Sequence, residues 1–289
     1  MPRRPRLASR NRLNLALAFA VAVLALLAWF RPGLKAPDAG APLLPKAPEA
    51  THIRIAPTGA TAAELTREAD GWHMTAPLRM RADDAAVDDL LQLLTLPVDA
   101  GFPAMSDLSV YDLDKPLLRL TLDGTELDFG GTQPIDQRRY VLLDGRVHLV
   151  SGVLFYRLAQ NAYDWLDKRL LPEGGEVTAI QLPHATVAQD QAGRWQISPA
   201  DKSLDAKRLA KLAQAWQEAR ADNVAAIGKH VVEGEVALSL KGTDAPVRFQ
   251  IYKDADSLIL ARPALGLQYQ LDPMERAALL LQHVAPPQG

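Results

Sequence analysis

Hydrophobic positions follow two regimes along this chain. Leu15 to Phe30 is an unbroken apolar run, lengthened by Leu13 with Asn14 as its one polar residue. As a helix rising about 1.5 Å per residue, the unbroken part covers roughly 24 Å, short of a hydrocarbon core of roughly 30 Å. Leu13, Asn14 and the long flanking arginines can close that gap by snorkelling. Beyond residue 50 the composition is that of a water-soluble chain and the pattern becomes periodic. Apolar residues either alternate over short segments or recur at i, i+3, i+4 and i+7, the signatures of strands and of amphipathic helices.

The periodic part repeats itself at about 120 residues. The first unit opens with Ile53-Arg54-Ile55, passes a second strand at Glu64 to Arg67, and reaches Gly71-Trp72-His73-Met74-Thr75-Ala76-Pro77. The second opens near Val177 to Leu182, passes Thr186-Val187-Ala188, and reaches Gly193-Arg194-Trp195-Gln196-Ile197-Ser198-Pro199. Alternation puts Trp72 with Met74, and Trp195 with Ile197, on one strand face, so both tryptophans are expected in repeated core packing. A helix follows in each unit. Val87, Leu90, Leu91 and Leu94 form one stripe, and Leu209, Leu212, Ala213 and Trp216 form the same stripe 122 positions on. Asp83 and Asp205 sit where a helix N-cap or first-turn carboxylate belongs.

A strand-rich half closes each unit. Leu118, Leu120 and Leu122 alternate before Asp123-Gly124, and Val236, Leu238 and Leu240 before Lys241-Gly242. Leu127 to Phe129 and Val247 to Ile251 come next. Tyr140 to Leu143 joins Val147 to Val150 through Asp144-Gly145, a strong hairpin signal. Leu258 to Ala261 and Gln268 to Leu271 are its counterparts. Closing helices are expected over about Val153 to Leu170 and Pro273 to His283. The pattern predicts an α+β protein: an N-terminal transmembrane helix, then two tandem repeats with mainly antiparallel sheets.

Charge orients the apolar run. Arg3, Arg4, Arg6, Arg10 and Arg12 precede it, while only Arg31 and Lys35 follow closely. Basic flanks stay on the cytoplasmic side, so residues 1–12 read as a cytoplasmic tail and 13–30 as a single-pass inner-membrane anchor. The repeats, over 51–175 and 176–289, then lie in the periplasm. A cleaved signal peptide is the alternative. Against it, the run exceeds the roughly 7–15 residues of an h-region, and the small-x-small site Ala39-Gly40-Ala41 is followed by Pro42. Residues 31–50 carry five prolines and read as a semi-rigid spacer.

Composition excludes several functions. With no cysteine there is no lipoprotein anchor, disulfide, thiolate metal site or cysteine nucleophile. Residues 1–50 hold eight Lys/Arg and two Asp/Glu, a net +6, so with the chain at −2 the remainder carries −8. An acidic outer domain lacks the basic face that nucleic acid requires.

The chain carries few residue patterns that point to chemistry. No P-loop, G-x-S-x-G, H-E-x-x-H or dinucleotide fingerprint is present. The six histidines are scattered. His52 and His73 could meet across neighbouring strands, but lone histidines on solvent faces are the reading adopted, with no metal and no cofactor expected. Asp83 and Asp84 fit a helix first turn, and Asp88 and Asp89 a solvated face. Asp112 and Asp114 flank Leu113. Gly130-Gly131 suggests a bulge. Tyr111 and Tyr140 are the candidates for an exposed interaction patch, and no catalytic residue is assigned.

The elements GWHMTAP, ADDAAVDDLLQLL, VYDLDKPLLRLTLDG and RRYVLLDGRVHLV, with Tyr111, Leu113 and Pro116 in a Tyr-x-Leu-x-x-Pro pattern, resemble the domain-of-unknown-function 4340 family. The likeness is best over 51–175. It implies a bacterial envelope protein with an N-terminal membrane segment, some members being similar to auxiliary components of gliding-motility-type ABC transport systems. It brings no catalytic residue to carry over. The expected role is a non-enzymatic accessory or scaffold subunit that binds other envelope proteins. A periplasmic module for a small ligand or glycan, seated between the units, is the first alternative. A hydrolase using a buried carboxylate pair is the second.

Overall fold

The computed structural model describes Val21 and residues 40–98, 101–254 and 256–281. Apart from Val21, the expected anchor lies outside the described residues, as do 31–39 of the expected spacer. Among the described residues no helix is long and apolar enough to cross a membrane.

The chain forms two antiparallel sheets with few helices, an α+β architecture. The first sheet is built from β1 (His52–Pro57), β2 (Ala63–Glu68), β3 (Gly71–Ala76), β4 (Met80–Arg81), β5 (Phe102–Pro103), β6 (Leu118–Leu122), β7 (Thr125–Thr132), β8 (Arg139–Leu143) and β9 (Arg146–Val150). Its strand order is β4-β3-β2-β1-β6-β7-β8-β9-β5. The second contains β10 (Val177–Gln181), β11 (Thr186–Gln189), β12 (Trp195–Ser198), β13 (Asn223–Ala226), β14 (Val232–Leu240), β15 (Val247–Tyr252), β16 (Leu258–Arg262) and β17 (Leu267–Leu271). Its order, β12-β11-β10-β14-β15-β16-β17-β13, repeats the first without a counterpart of β4. The duplication read from sequence is therefore a duplication of topology. The short edge strands β5 and β13 carry too few residues to show a period.

Local chemistry sets the elements. Helices α1 (Asp84–Leu94) and α3 (Ala206–Glu218) start where Asp83 and Asp205 accept the backbone N–H of Ala86 and Arg208 at 3.3 and 2.8 Å. Both predicted stripes face the core, with Val87, Leu90, Leu94 and Trp216 at 0% exposure. Asp144 and Gly145 turn the β8–β9 hairpin with φ of 49° and 72°, and Asp123 and Gly124 turn β6 into β7 with 43° and 91°. Two positive φ values in succession match the right-handed twist of the paired strands.

Three expectations change. The spacer ends early: Pro42 bridges to Pro97, Leu44 N–H donates to the Leu94 carbonyl at 2.9 Å, and Leu43, Ala47 and Ala50 are buried. Residues 41–50 are thus a strap on α1, held by apolar side chains set among the prolines. The first closing helix is not one helix to Leu170 but α2 (Gly152–Leu158) followed by a short 3-10 turn at Ala162–Trp165. Asn161 ends it by capping the new turn, with Asp164 returning a bond to the Asn161 N–H. The second closing helix, α4, spans Glu275–Leu280 and ends on Leu281, which sits in the left-handed region with φ 55°, and only 282–283 of the expected helix lie outside the described residues. Trp216 of α3 holds it through an Nε1–H bond to the Leu279 carbonyl at 2.9 Å.

Residues 166–170 form a strap that joins the two sheets. Leu166 bridges to Ala82 and Asp167 N–H donates to the Arg81 carbonyl, at the β4 edge of the first sheet. Four residues on, Leu170 N–H donates to the Ala219 carbonyl, Ala221 N–H donates to the Lys168 carbonyl, and Arg169 bridges Arg220, just before β13. The sheets are separate but laced edge to strap to edge. One hydrophobic core runs through both units, from Leu43 to Leu280.

Candidate functional site

The Tyr-x-Leu element folds into a plug on the face of the first sheet away from α1. A 3-10 turn at Leu108–Tyr111 begins where Asp107 accepts the Ser109 N–H at 3.0 Å, and ends on Asp112 in the left-handed region, φ 53°. The plug drops Tyr111 and Leu113 onto β8 and β9, where they pack with Val147, Tyr140 and Leu142. Such close approach needs Gly130 and Gly131. A Cβ on Gly130 would lie 2.2 Å from the Tyr111 carbonyl oxygen, and one on Gly131 would lie 2.3 Å from Asp112 Oδ2. The β7–β8 register shifts over the same residues, so the glycine pair is a bulge that receives the plug.

Tyr111 is the centre of an aromatic row, 5.8 Å from Phe102 and 5.1 Å from Tyr140 between ring centroids. The structure brings the two expected tyrosines together but buries Tyr111 to 9% exposure, leaving Tyr140 half-buried. What faces solvent around them is Phe102, Met105 and Val110. Alternation could not show this, because β5 is two residues long and no strand follows it before β6. The second sheet carries a smaller cluster of different residues, Tyr252, Ile259 and Ala261, with His230 stacked on Tyr252 at 5.0 Å.

The candidate acids separate by environment. Asp84 accepts the Trp72 N–H at 2.6 Å and pairs with Arg81 at 2.7 Å. Burial alone would raise its carboxyl, but those two donors outweigh it and hold the group below the usual range. The same hydrogen bond raises the Arg81 guanidinium. Asp83 caps α1 and meets Arg220 of the second unit at 3.6 Å, while Asp167 pairs with Arg169 at 2.7 Å and Arg220 at 3.9 Å. These ion pairs sit across the inter-unit strap. Asp88, Asp89, Asp112 and Asp114 are exposed.

His52 and His73 do not meet: both pair with Thr66, which stands between them on β2. His73 instead joins Glu68 and Asp70, the three offering ligand atoms within 4.8 Å of one another. The approach uses opposite ring nitrogens, Nδ1 at 3.9 Å from Glu68 and Nε2 at 3.6 Å from Asp70. Arg79 already holds Glu68 at 2.7 Å and Arg81 holds Asp70 at 3.3 Å. A metal bonds one ring nitrogen of an imidazole, in the ring plane, and wants unpaired carboxylates beside that nitrogen. The cluster is a set of arginine-paired acids around a histidine, which the hairpin spacing of β2 and β3 could have suggested.

Compared with known proteins, the model of the family described as Domain of unknown function (DUF4340) matches residues 72–245, more than half of the chain. Neither a curated protein nor a solved structure matches it.

Proposed function

This chain belongs to the DUF4340 family, and within it we propose the role of a non-catalytic accessory or scaffold subunit, anchored in the inner membrane by residues 13–30 and folded in the periplasm. The basic flank and apolar run support the anchor. The observation that carries the docking role is the exposed apolar rim of Phe102, Met105 and Val110 around a fixed aromatic row. Aromatic side chains held rigid before binding lose little entropy on contact and are favoured interface anchors. The strap and its ion pairs would transmit that contact to the second unit as one body.

The test is recovery of partners from gently solubilised native membranes with tagged full-length protein, against the Phe102→Ser/Val110→Ser variant. Defined envelope or transport subunits should co-purify with the parent and be lost with the variant. A parent that comes down alone at native abundance would overturn the reading.

A further inference from the structure

We propose that the tether-root face of the first unit, around the cavity between α2 and the 94–98 segment, rests on the lipid headgroup layer; this rests on the anchor reading above. The described chain enters the fold there, since Val98 N–H donates to the Ala41 carbonyl at 3.1 Å and Pro42 bridges Pro97. Phe30, the end of the expected anchor, and Gly40 are ten residue steps apart, at most about 36 Å when fully extended. The entry point is therefore confined near the bilayer, and the surface beside it is the one that can touch it.

That surface has the composition of a membrane-contacting face. Pro97 and Val98 line a cavity of about 640 Å³ with Val153 and Tyr156 of α2. Val153 is 64% exposed and Tyr156 69%, and Ile135, next to the lining residue Asp136, is 83% exposed, the highest of the large apolar side chains in the described residues. Tyrosine with its apolar ring and polar tip suits the headgroup level. Ser151 and Gln137 line the same cavity and give it a polar side toward glycerol oxygens, with Arg138 and Asp136 beside them. A scattered exposed isoleucine needs no explanation, but apolar side chains gathered at the root of a tether do. The aromatic rim of Phe102, Met105 and Val110 is then left for protein partners.

The absence of cysteine allows single reporters. Full-length protein carrying Ile135→Cys or Val153→Cys, with Val231→Cys as the control in the second unit, is labelled with an environment-sensitive fluorophore. It is reconstituted in phosphatidylethanolamine/phosphatidylglycerol vesicles with or without spin-labelled headgroups. Positions 135 and 153 should shift to the blue and lose intensity to the spin label, while position 231 keeps its aqueous emission. Protein that floats with the vesicles but shows aqueous, unquenched emission at 135 and 153 keeps the anchor and overturns the headgroup contact. A blue shift without quenching also overturns it, placing protein there instead of lipid. Protein that does not float refutes the anchor itself, and the proposal with it.

Discussion

Trp72 and Trp195 stand at the same place in the two repeats, yet their removal should not cost the same. Trp72 is 2% exposed, on a strand covered by β4, whereas Trp195 is half-buried on β12, an edge strand. A fully buried tryptophan withdraws about 200 Å² from water, worth about 5 kcal/mol as an upper bound. The Trp72 indole N–H meets no hydrogen-bond partner in the protein, so nothing is added for a lost bond. Trp72→Ala should therefore cost about 3–5 kcal/mol. With roughly half the area withdrawn, Trp195→Ala should cost about 2 kcal/mol. Urea unfolding of the full-length protein in mild detergent, followed by far-ultraviolet circular dichroism, gives both values. Losses equal to within about 0.5 kcal/mol would refute the asymmetry and show that the β12 edge is covered in solution.

Asp83→Ala removes a cap and the contact with Arg220, whereas Asp205→Ala removes an exposed cap only, so the first should lose about 2 kcal/mol and the second about 1 kcal/mol in the same assay. The Asp84 carboxyl is depressed in the folded state, so its stabilisation is present above the unfolded value of about 3.9 and is lost as pH falls through the lower folded value. Unfolding midpoints measured from pH 7 to 2 should drop less steeply at the acid end in Asp84→Asn than in the parent. Leu43→Asp should destabilise the first unit by about 2–4 kcal/mol because the strap side chain is only 6% exposed, whereas a free spacer would tolerate it without change in the melting curve. Stoichiometric zinc should leave the melting temperature unchanged because Arg79 and Arg81 hold Glu68 and Asp70; a rise that His73→Ala abolishes would show that the cation displaces them.

Sequence alone determined what depends on neighbours in the chain. Stripes at 3.6-residue spacing placed α1 and α3, alternation placed the long strands, Asp83 and Asp205 placed the helix starts, and Asp-Gly placed the hairpins, because each of these is a local energy. The 122-residue offset made the repeat legible for the same reason. Only the tertiary structure decided the rest. Pro42 to Ala50 has the composition of a spacer, and its burial follows from a groove that α1 offers. The segment after Pro199 becomes a turn because Asp201 accepts the Ser203 N–H and hydroxyl, where in the first unit Arg79 and Arg81 pair with Glu68, Asp70 and Asp84 and the chain extends as β4. Tyr111 looked exposed because the Gly130–Gly131 hollow that receives it lies about twenty residues further along the chain. Side chains that meet only after the two units pack, as Arg220 and Asp83 do, leave no period in the sequence to read.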